Sequence, residues 1–359
     1  MNSIYVLRQD FTLQGVIDEY ISSIWRPSYS DIGDFEVYLG ATDKAIDLLR
    51  ENNYLVRSSD ISVVNGIITY KNVMVIKNIN IITDVESGDF LSVTGRELKF
   101  LLNSRIVWSQ TTLTGTAENA IRQLITENAI SPTDTNRVIP TLTLAASAGL
   151  TESIIKQVTG TKLDRAIADI CTTYNYGWDM YIHNNRLTVE IYKGLDRSYG
   201  QTDRPFVVFS DEFENLYNTE YQLSTEEYAN TTLIGGEGEG LGRVYTTVGG
   251  NNSGLERYEV FTDARDLSSN KGTEEEIAQS TYLELLAERG YENLANLSYT
   301  EGFSGEVLSD VAFKYGTDFF LGDTVSVINK YGISKNVMVL SAIESEDETG
   351  TKLLPQFNI

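Results

Sequence analysis

Alternating polar and apolar side chains indicate β-structure over much of this chain. In residues 34–39 (DFEVYL) every second side chain is apolar, the pattern of a strand with one buried face. Residues 61–64 (ISVV) run into Asn65-Gly66, a pair typical of tight hairpin turns, and a long strand is predicted to follow through VMVIKNINII. A turn at residues 86–89 and a strand over FLSVT complete the predicted first β region.

An apolar period close to that of an α-helix replaces the alternation in the middle of the chain. Three leucines predict a short helix over residues 96–103. Residues 117–129 place their apolar side chains on one stripe behind Thr116, a candidate N-cap, and residues 163–173 repeat the stripe. Alternating apolar residues then flank a tight turn at residues 184–185. We therefore predict a compact unit of one helix followed by a β-hairpin.

Strand patterns return from about residue 205, first over PFVVFS and then over YQLSTEEYANTTLIGG. A capping box at residues 273–276 (TEEE) predicts one long helix that ends at about Leu297. Strands are predicted again to the C-terminus, over VLSDVAFKYG, DTVSVI and KNVMVL. The predicted fold class is α+β and mainly β.

One predicted strand sequence occurs twice in nearly identical form. KNVMVI occupies residues 71–76 and KNVMVL occupies residues 335–340; each follows a turn that contains Gly-Ile and each leads into an acidic stretch. Two diverged copies of one small barrel would produce this recurrence. Coincidence is the alternative, because valine, isoleucine and asparagine recur in any β protein.

Composition excludes several classes of function. Among 359 residues, 51 acidic and 28 basic side chains give a net charge of −23, which disfavours a nucleic-acid reader but suits a protein that nucleic acid passes without sticking. A single cysteine, Cys171, and a single histidine, His183, exclude an intramolecular disulfide, a cysteine zinc cage and a multi-histidine metal site. We therefore expect no cofactor and no catalytic residues. We also expect no membrane insertion, because no apolar run approaches the roughly 20 residues of a membrane span.

Two kinds of motif could be taken for binding sites. Glycines at alternate positions of residues 235–242 depart from a phosphate-binding spacing, and Glu237 and Glu239 would repel phosphate, so we interpret this loop as structural. In residues 192–198 and 255–267 an arginine lies within two residues of an aspartate. Such runs either hold a loop through arginine–carboxylate hydrogen bonds or form an ion pair between subunits.

Several motifs occur together in a fixed order. They are SIWRPSY (23–29), GDF (33–35), GLDRS (194–198), FS (209–210), GGEG (235–238), DARDL (263–267) and LGD (321–323). Over almost the whole chain this order resembles the ReqiPepy-type siphovirus tail-protein family, which includes the hub at the N-terminus of tail-associated lysins. The residues of these motifs that we take as structural or interface candidates are Trp25, Asp34, Asp196, Arg197, Gly236, Gly238, Asp263, Arg265, Asp266, Gly322 and Asp323.

The resemblance implies a structural hub of a phage tail tip or baseplate. Such a hub is a homotrimer with two related β-barrel domains per subunit, so that six barrels match a six-fold tail tube. Residues 1–107, completed by about 205–235, would form the first barrel domain. Residues 108–204 would form an inserted α/β region, and residues 236–359 the long helix with the second barrel domain.

The resemblance also implies partners and a location. The partners are the distal tail protein or tail tube ring, with the tape-measure protein and a downstream fibre or receptor-binding protein as further candidates. DNA would pass through without specific binding, and the protein would be assembled in the host cytoplasm and lie at the tail tip of the virion. The chain stops just after the second barrel, whereas long tail-associated lysins continue into a fibre or a peptidase.

Two other functions and one question about charge remain open. Abundant carboxylates fit a cell-wall-degrading tail lysin, and 21 tyrosines with three tryptophans fit a carbohydrate-binding receptor protein. The acidic segments Asp84–Asp89, Glu237–Glu239 and Glu344–Glu348 could line a DNA channel or keep an outer surface soluble.

Overall fold

The computed structural model describes residues 2–86, 88–269, 277–298, 300–307 and 313–358, which contain twenty-three strands and four α-helices. The first strands are β1 (Ile4–Leu7), β2 (Leu13–Ile17), β3 (Ser22–Arg26), β4 (Asp34–Gly40), β5 (Tyr54–Arg57), β6 (Ile61–Val64), β7 (Ile67–Tyr70), β8 (Met74–Asp84) and β9 (Gly88–Glu97). The middle strands are β10 (Thr111–Thr116), β11 (Leu142–Leu144), β12 (Ser153–Val158), β13 (Gly177–His183) and β14 (Arg186–Tyr192). The last strands are β15 (Val208–Ser210), β16 (Leu216–Ser224), β17 (Thr231–Gly235), β18 (Tyr245–Gly249), β19 (Glu259–Asp263), β20 (Thr300–Val307), β21 (Thr324–Ile328), β22 (Ser334–Asp347) and β23 (Gly350–Asn358). The helices are α1 (Asp43–Leu48), α2 (Ala117–Ile125), α3 (Leu163–Tyr174) and α4 (Gln279–Asn296).

One sheet of thirteen strands joins the two ends of the chain. Its order is β16-β20-β23-β22-β3-β4-β9-β8-β5-β1-β2, and β21 pairs with both β15 and β22. The joint lies between β22 and β3, where Glu344 is opposite Trp25 and Asp347 is opposite Ser22. The prediction of a mainly β chain is confirmed. The described strand pairings do not close into a barrel, so the two-barrel arrangement stays a prediction.

Within this sheet a five-strand unit occurs twice. The order β3-β4-β9-β8-β5 matches β16-β20-β23-β22-β21, every pairing is antiparallel, and the strands follow one another along the chain in the same sequence. Met74–Ile76 of the first KNVMV run and Met338–Leu340 of the second lie in corresponding strands, with Met74 opposite Glu97 and Met338 opposite Asn358 at the start of each hairpin. Each long strand also has an irregular register one or two residues after its methionine. These shared features favour duplication over coincidence.

The first KNVMV run separates two hydrophobic cores. Val73 and Val75 pack with the inserted helices, whereas Met74 and Ile76 pack with Trp25 and its neighbours. This is the alternation expected of a strand that is buried on both faces. In the second run the corresponding valines are buried in a third core, and the methionine and leucine are half-buried against it.

The inserted α/β region follows its sequence pattern. The Thr116 hydroxyl accepts a hydrogen bond from the backbone N–H of Asn119 (3.3 Å) and caps α2, which continues as a π-helical turn to Ile130. After α3, the strands β13 and β14 form the predicted hairpin, with Asn184 and Asn185 at positive φ in the turn. They belong to a five-stranded sheet in the order β11-β14-β13-β7-β6.

Two predictions about the first β region were wrong. The long strand predicted after Asn65-Gly66 is broken at Asn72, where φ is +47°, because β7 pairs with β6 and β13 whereas β8 pairs with β5 and β9. The helix predicted over residues 96–103 is a 3₁₀ helix, Leu98–Ser104, because β9 extends through Glu97.

The stretch YQLSTEEYANTTLIGG forms strands, as predicted, but they are two separate strands in different sheets. It is divided into β16, in the large sheet, and β17, in a three-stranded sheet of order β18-β17-β19 against which α4 packs. The predicted long helix is α4, but its predicted start was wrong: α4 begins at Gln279 with Ala278 as its N-cap, and the described residues 277–278 are not helical. The capping box at residues 273–276 lies outside the described residues, as do residues 308–312 of the strand predicted over VLSDVAFKYG. Among the helices that the structure describes, none is long and apolar enough to cross a bilayer.

Candidate functional site

The buried side chain of Tyr29 lies where the three main parts of the chain meet. Its hydroxyl donates a hydrogen bond to the backbone oxygen of Asn175 (3.0 Å) and accepts one from the N–H of Gly194 (3.0 Å). A Cβ atom on Gly177 or on Gly322 would lie 2.2 Å from the tyrosine ring. Only glycines leave room for this ring, so Tyr29 fixes the distance between the first β region, the inserted region and the C-terminal strands.

The buried carboxylate of Asp323 organises the same junction. It accepts hydrogen bonds from the backbone N–H groups of Leu195 (2.7 Å) and Phe320 (3.0 Å) and from Nε of Arg197 (2.7 Å). Its side chain is 3% exposed, and that of Arg197 is 14% exposed. A buried carboxylate with three donors and a guanidinium partner is a specific clamp. It holds the segment after β14 against the start of β21.

Asp196 shapes that segment. Its Oδ1 accepts the N–H of Ser198 (2.9 Å), which fixes a turn, and Asp196 itself forms a bridge with Thr324. The next residue, Arg197, donates its backbone N–H to the oxygen of Thr324 (2.8 Å). The structure thus brings Asp196, Arg197, Gly322 and Asp323 together, although more than 120 residues separate the two motifs.

A second group of motif residues surrounds Asp263 at the end of β19. Nη2 of Arg243 donates to Asp263 (2.6 Å) and to the backbone oxygen of Gly235 (2.8 Å), and Arg265 makes an exposed ion pair with the same carboxylate (2.6 Å). The hydrogen bond from Arg265 lowers the pKa of Asp263 to about 2. These hydrogen bonds lie within one chain, so they fit the interpretation of a loop that is held by arginine–carboxylate contacts.

The glycine loop packs against α4. A Cβ on Gly236 would lie 2.5 Å from the hydroxyl oxygen of Tyr282, and Gly238 has a φ of +96°. Asp266 joins the same helix through a bidentate pair with Arg289 (3.1 and 2.9 Å). The glycines and Asp266 therefore place the three-stranded sheet on α4, in line with a structural loop.

Trp25 lies in a third place, at the joint between the two five-strand units. Its ring is buried beside Phe35 (5.3 Å between centroids) and under the guanidinium of Arg57 (5.4 Å). Arg57 in turn pairs with Asp60 (2.7 Å) and with Glu344 of β22 (2.9 Å). Trp25, Arg57 and Glu344 thus hold β3, β5 and β22 together.

Asp34 lies apart from this cluster. It is partly exposed and pairs with Arg26 at 3.3 Å. The eleven motif residues therefore fall into three clusters around Asp323, Asp263 and Trp25, with Asp34 separate. Sequence reasoning missed Arg57, which belongs to no motif, and it placed Glu344 only in an acidic segment, with no indication of its pairing with Arg57.

A cleft of about 670 Å³ lies beside the junction and contains the buried carboxylate of Glu97. Burial raises the pKa of Glu97 to about 7, and the ammonium group of Lys99 at 3.2 Å acts in the opposite direction. Glu97 accepts hydrogen bonds from the backbone N–H groups of Gly33 and Ser28. The Lys99 ammonium also donates to the backbone oxygens of Ser28 (2.6 Å) and Trp178 (3.2 Å). Glu97 and Lys99 thus join the first β region to the inserted hairpin, and sequence reasoning missed both.

The single histidine and the single cysteine, which could in principle be reactive, both lie in places where they contribute to the fold. His183 is exposed at the hairpin, where its Nδ1 contacts the hydroxyl of Thr69 (2.8 Å), and Cys171 is buried in the core. In the part of the chain that the structure describes, no three His, Cys, Asp or Glu side chains are grouped to hold a metal ion.

The acidic segments differ in their surroundings. Asp84 and Asp89 are exposed at the tip of the β8–β9 hairpin, and Glu239 is exposed in the glycine loop. Glu346 instead points inward, where it accepts hydrogen bonds from the hydroxyl of Tyr20 (2.8 Å) and the N–H of Asn2 (3.0 Å). The β22 segment therefore uses part of its negative charge within the fold.

Comparison with known proteins confirms the resemblance seen in the sequence. The sequence profile of the Siphovirus ReqiPepy6 Gp37-like protein family matches residues 3–357. No curated protein sequence matches the chain significantly.

Solved structures of tail proteins, two of them from prophages, share the fold. A tail protein from Neisseria meningitidis MC58 is 14% identical with a TM-score of 0.59, covering 100% of this chain and 96% of its own. The 43 kDa tail protein of prophage MuSo2 from Shewanella oneidensis is 13% identical with a TM-score of 0.61, covering 99% and 98%. The prophage tail protein gp18 from Listeria monocytogenes EGD-e is 12% identical with a TM-score of 0.50, covering 99% and 94%.

Proposed function

Because this chain belongs to the Siphovirus ReqiPepy6 Gp37-like protein family, a family of siphovirus tail proteins, we propose that it is the structural hub of a tail tip or baseplate. In this proposal three copies form a ring that closes or extends the tail tube. The observation that carries it is the five-strand unit that occurs twice in one chain.

A duplicated unit removes a mismatch of symmetry. A tail tube is built with six-fold symmetry, so a trimeric ring with one contact per subunit would satisfy only half of the tube's sites. Three chains with two equivalent units each present six, and the contacts become quasi-equivalent around the ring. The joint between β22 and β3 already places the two units side by side in one continuous sheet.

The domain division is part of the proposal. Residues 1–107 and 236–359 form the two hub domains, and residues 108–204 form the inserted α/β region. Two strands in residues 205–235 belong to the large sheet. Of these, β15 pairs with β21 and β16 pairs with β20. These pairings support assigning β15 and β16 to the second hub domain instead of the first.

The hub is proposed to work without enzymatic activity. Glu97, the carboxylate with a raised pKa in the cleft, is held by backbone N–H groups and by Lys99, which supports a structural role over that of a general acid. The distal tail protein or tube ring would bind one face, and the tape-measure protein and a fibre or receptor-binding protein are further partners. DNA would pass through a channel whose walls do not bind phosphate, as the net charge of −23 favours.

The copy number in assembled tails tests the proposal. Cryo-EM reconstruction of tails, or quantitative mass spectrometry of purified tails with isotope-labelled peptides, should give three copies per tip. Two or six copies, or absence from purified tails, would contradict it. The purified chain should also release no soluble muropeptides from peptidoglycan; release that is lost in Glu97→Gln would favour the lysin instead.

A further inference from the structure

The two long strands of the repeat differ in what covers their second edge. In β22 the residues near its start pair with β21, and Glu344–Asp347 near its end pair with Trp25–Ser22 of β3. In β8 only Met74 and Val75 pair with β5 on that side. Among the described residues, no strand follows along residues 77–83. The position that β3 takes against β22 is therefore open against β8.

The strand that corresponds to β3 also lies at an edge. In the second unit this strand is β16, which pairs with β20 and ends the large sheet. Both edges carry exposed apolar side chains: Ile79, Ile81 and Ile82 on β8 are 39–49% exposed, and Leu223 on β16 is 54% exposed. Long apolar edge strands attract further strands, so a soluble protein covers or charges them unless they serve an interface.

We propose that residues 77–83 of one copy pair, antiparallel, with residues 216–223 of β16 in a second copy. This inference rests on the proposed ring and names the surface that closes it. The contact repeats between copies what β22 and β3 make within one chain, so joints within and between chains alternate around the ring. It is an addition of strand edge to strand edge, in which backbone hydrogen bonds provide most of the binding.

The repeat defines the register on β8. Met74 and Met338 are equivalent because they begin the two hairpins opposite Glu97 and Asn358. Counting along both strands from the methionines, Asn80 takes the place of Glu344.

The same comparison defines the register on β16. Trp25 is opposite Phe35 on β4, which is opposite Gly95 on β9. Glu220 is opposite Ser304 on β20, which is opposite Gln356 on β23, the equivalent of Gly95. Glu220 therefore takes the place of Trp25, and Asn80 of one copy should lie opposite Glu220 of the next.

Two other pairs follow from this register. After the irregularity at residues 218–219 of β16, Ile82 should lie opposite Tyr217, which covers two exposed apolar side chains at once. At the other end, Lys77 should lie opposite Leu223, in the place of the bridge between Ser341 and Ser28.

The interface joins two different surfaces of the same chain. Each copy offers one β8 edge and one β16 edge, so contacts run head to tail and close a ring when the rotation allows. A two-fold interface would instead place the same edge of both copies together. This difference gives the proposal a direct test.

Engineered disulfides test the register in assembled tails. Directly opposed residues on antiparallel strands have Cα atoms about 4.5–5.5 Å apart, within disulfide range. Ile82→Cys combined with Tyr217→Cys should therefore give covalent trimers on a non-reducing gel after oxidation. The matched control, Ile79→Cys with Tyr217→Cys, keeps one partner and shifts the other along the strand, so it should stay monomeric. Burial raises the pKa of the Cys171 thiol, which keeps this native cysteine out of the reaction.

Single variants separate the two kinds of interface. Chains with Ile82→Cys mixed with chains with Tyr217→Cys should give dimers, and neither variant should cross-link alone. Cross-linking of Ile82→Cys with itself would overturn the head-to-tail arrangement.

A second pair, Lys77→Cys with Leu223→Cys, tests the other end of the register. Both pairs are also oxidised as purified chains at high protein concentration, so that a variant that does not enter tails is still scored. If neither pair cross-links although tails contain three copies, the proposed interface is wrong and the hub function stands. A copy number other than three refutes the hub function itself.

Discussion

Gly322 packs its backbone against the ring of Tyr29, so closely that a Cβ at position 322 would lie 2.2 Å from the Cε2 atom of the tyrosine. The backbone of Gly322 also has a φ of +86°, in the left-handed region that favours glycine. Because the Tyr29 hydroxyl bonds the backbones of Asn175 and Gly194, this one contact joins three parts of the chain.

Replacing this glycine tests the junction. Gly322→Ala should lower the free energy of unfolding by about 3 kcal/mol, since it adds both a strained φ and a clash with a buried ring. Gly332→Ala is the matched control: its φ is +79°, but nothing lies within 4 Å of the added Cβ, so the loss should be about 1 kcal/mol. Denaturant unfolding of the two variants measures the difference, and equal losses would show that the ring contact does not stabilise the fold.

The hydrogen bonds and ion pair of Asp323 should contribute more to the free energy of unfolding than those of Asp263. Asp323→Asn leaves Arg197 without a charged partner in a buried site and should lower the free energy of unfolding by about 3 kcal/mol. Asp263→Asn weakens pairs with Arg265 and Arg243, but the Asp263 side chain is 42% exposed, against 3% for Asp323, so the unfolding midpoint should shift far less. A larger effect at Asp263 would reverse the assignment of the two clusters.

The carboxylate of Glu152 should contribute to stability in a defined pH range. Hydrogen bonds from Lys193 (2.6 Å) and then from the hydroxyl of Tyr176 lower its pKa to about 2, from an ordinary value of 4.5. A lowered folded-state pKa means that the unfolded chain binds the proton first, so the contribution is present above pH 4.5 and is lost as the pH falls towards 2. Thermal unfolding between pH 2 and 6 should therefore depend less steeply on pH in Glu152→Gln.

Lys193→Met should flatten the same curve, because it removes the donor with the largest effect on Glu152. The double variant should add little to either single change. A pH dependence that matches the wild type in all three variants would show that these contacts do not form in solution.

A charge on the open edge should block assembly without unfolding the chain. Ile82→Lys places an ammonium group where the ring interface requires an apolar contact, so incorporation into tails should fall at least tenfold. Leu13→Lys changes a similarly exposed apolar residue on β2, and its incorporation should match the wild type. Unfolding midpoints close to the wild type in both variants exclude misfolding as the cause. Normal incorporation of Ile82→Lys would contradict the interface.

Local patterns in the sequence were sufficient for the inserted region and for the family. The helix α2 with its cap at Thr116 and the hairpin turn at residues 184–185 depend on contacts between near neighbours, which a periodic pattern reports directly. The recurrence of KNVMV indicated a repeated unit, and the order of the motifs indicated a tail protein, as the family match confirms.

Tertiary structure alone decided where the strands pair and which side chains meet. The break at Asn72 sends two adjacent apolar segments to different sheets, and periodicity cannot detect it because both segments are rich in apolar residues. The ion pairs between Arg57 and Glu344 and between Lys99 and Glu97 join residues that no motif links, and it is burial in the folded chain that raises the pKa of Glu97. Strand patterns report that a face is buried, but the partner of an edge is chosen by packing across hundreds of residues. In the part of the chain that the structure describes, that choice leaves residues 77–83 without a partner strand.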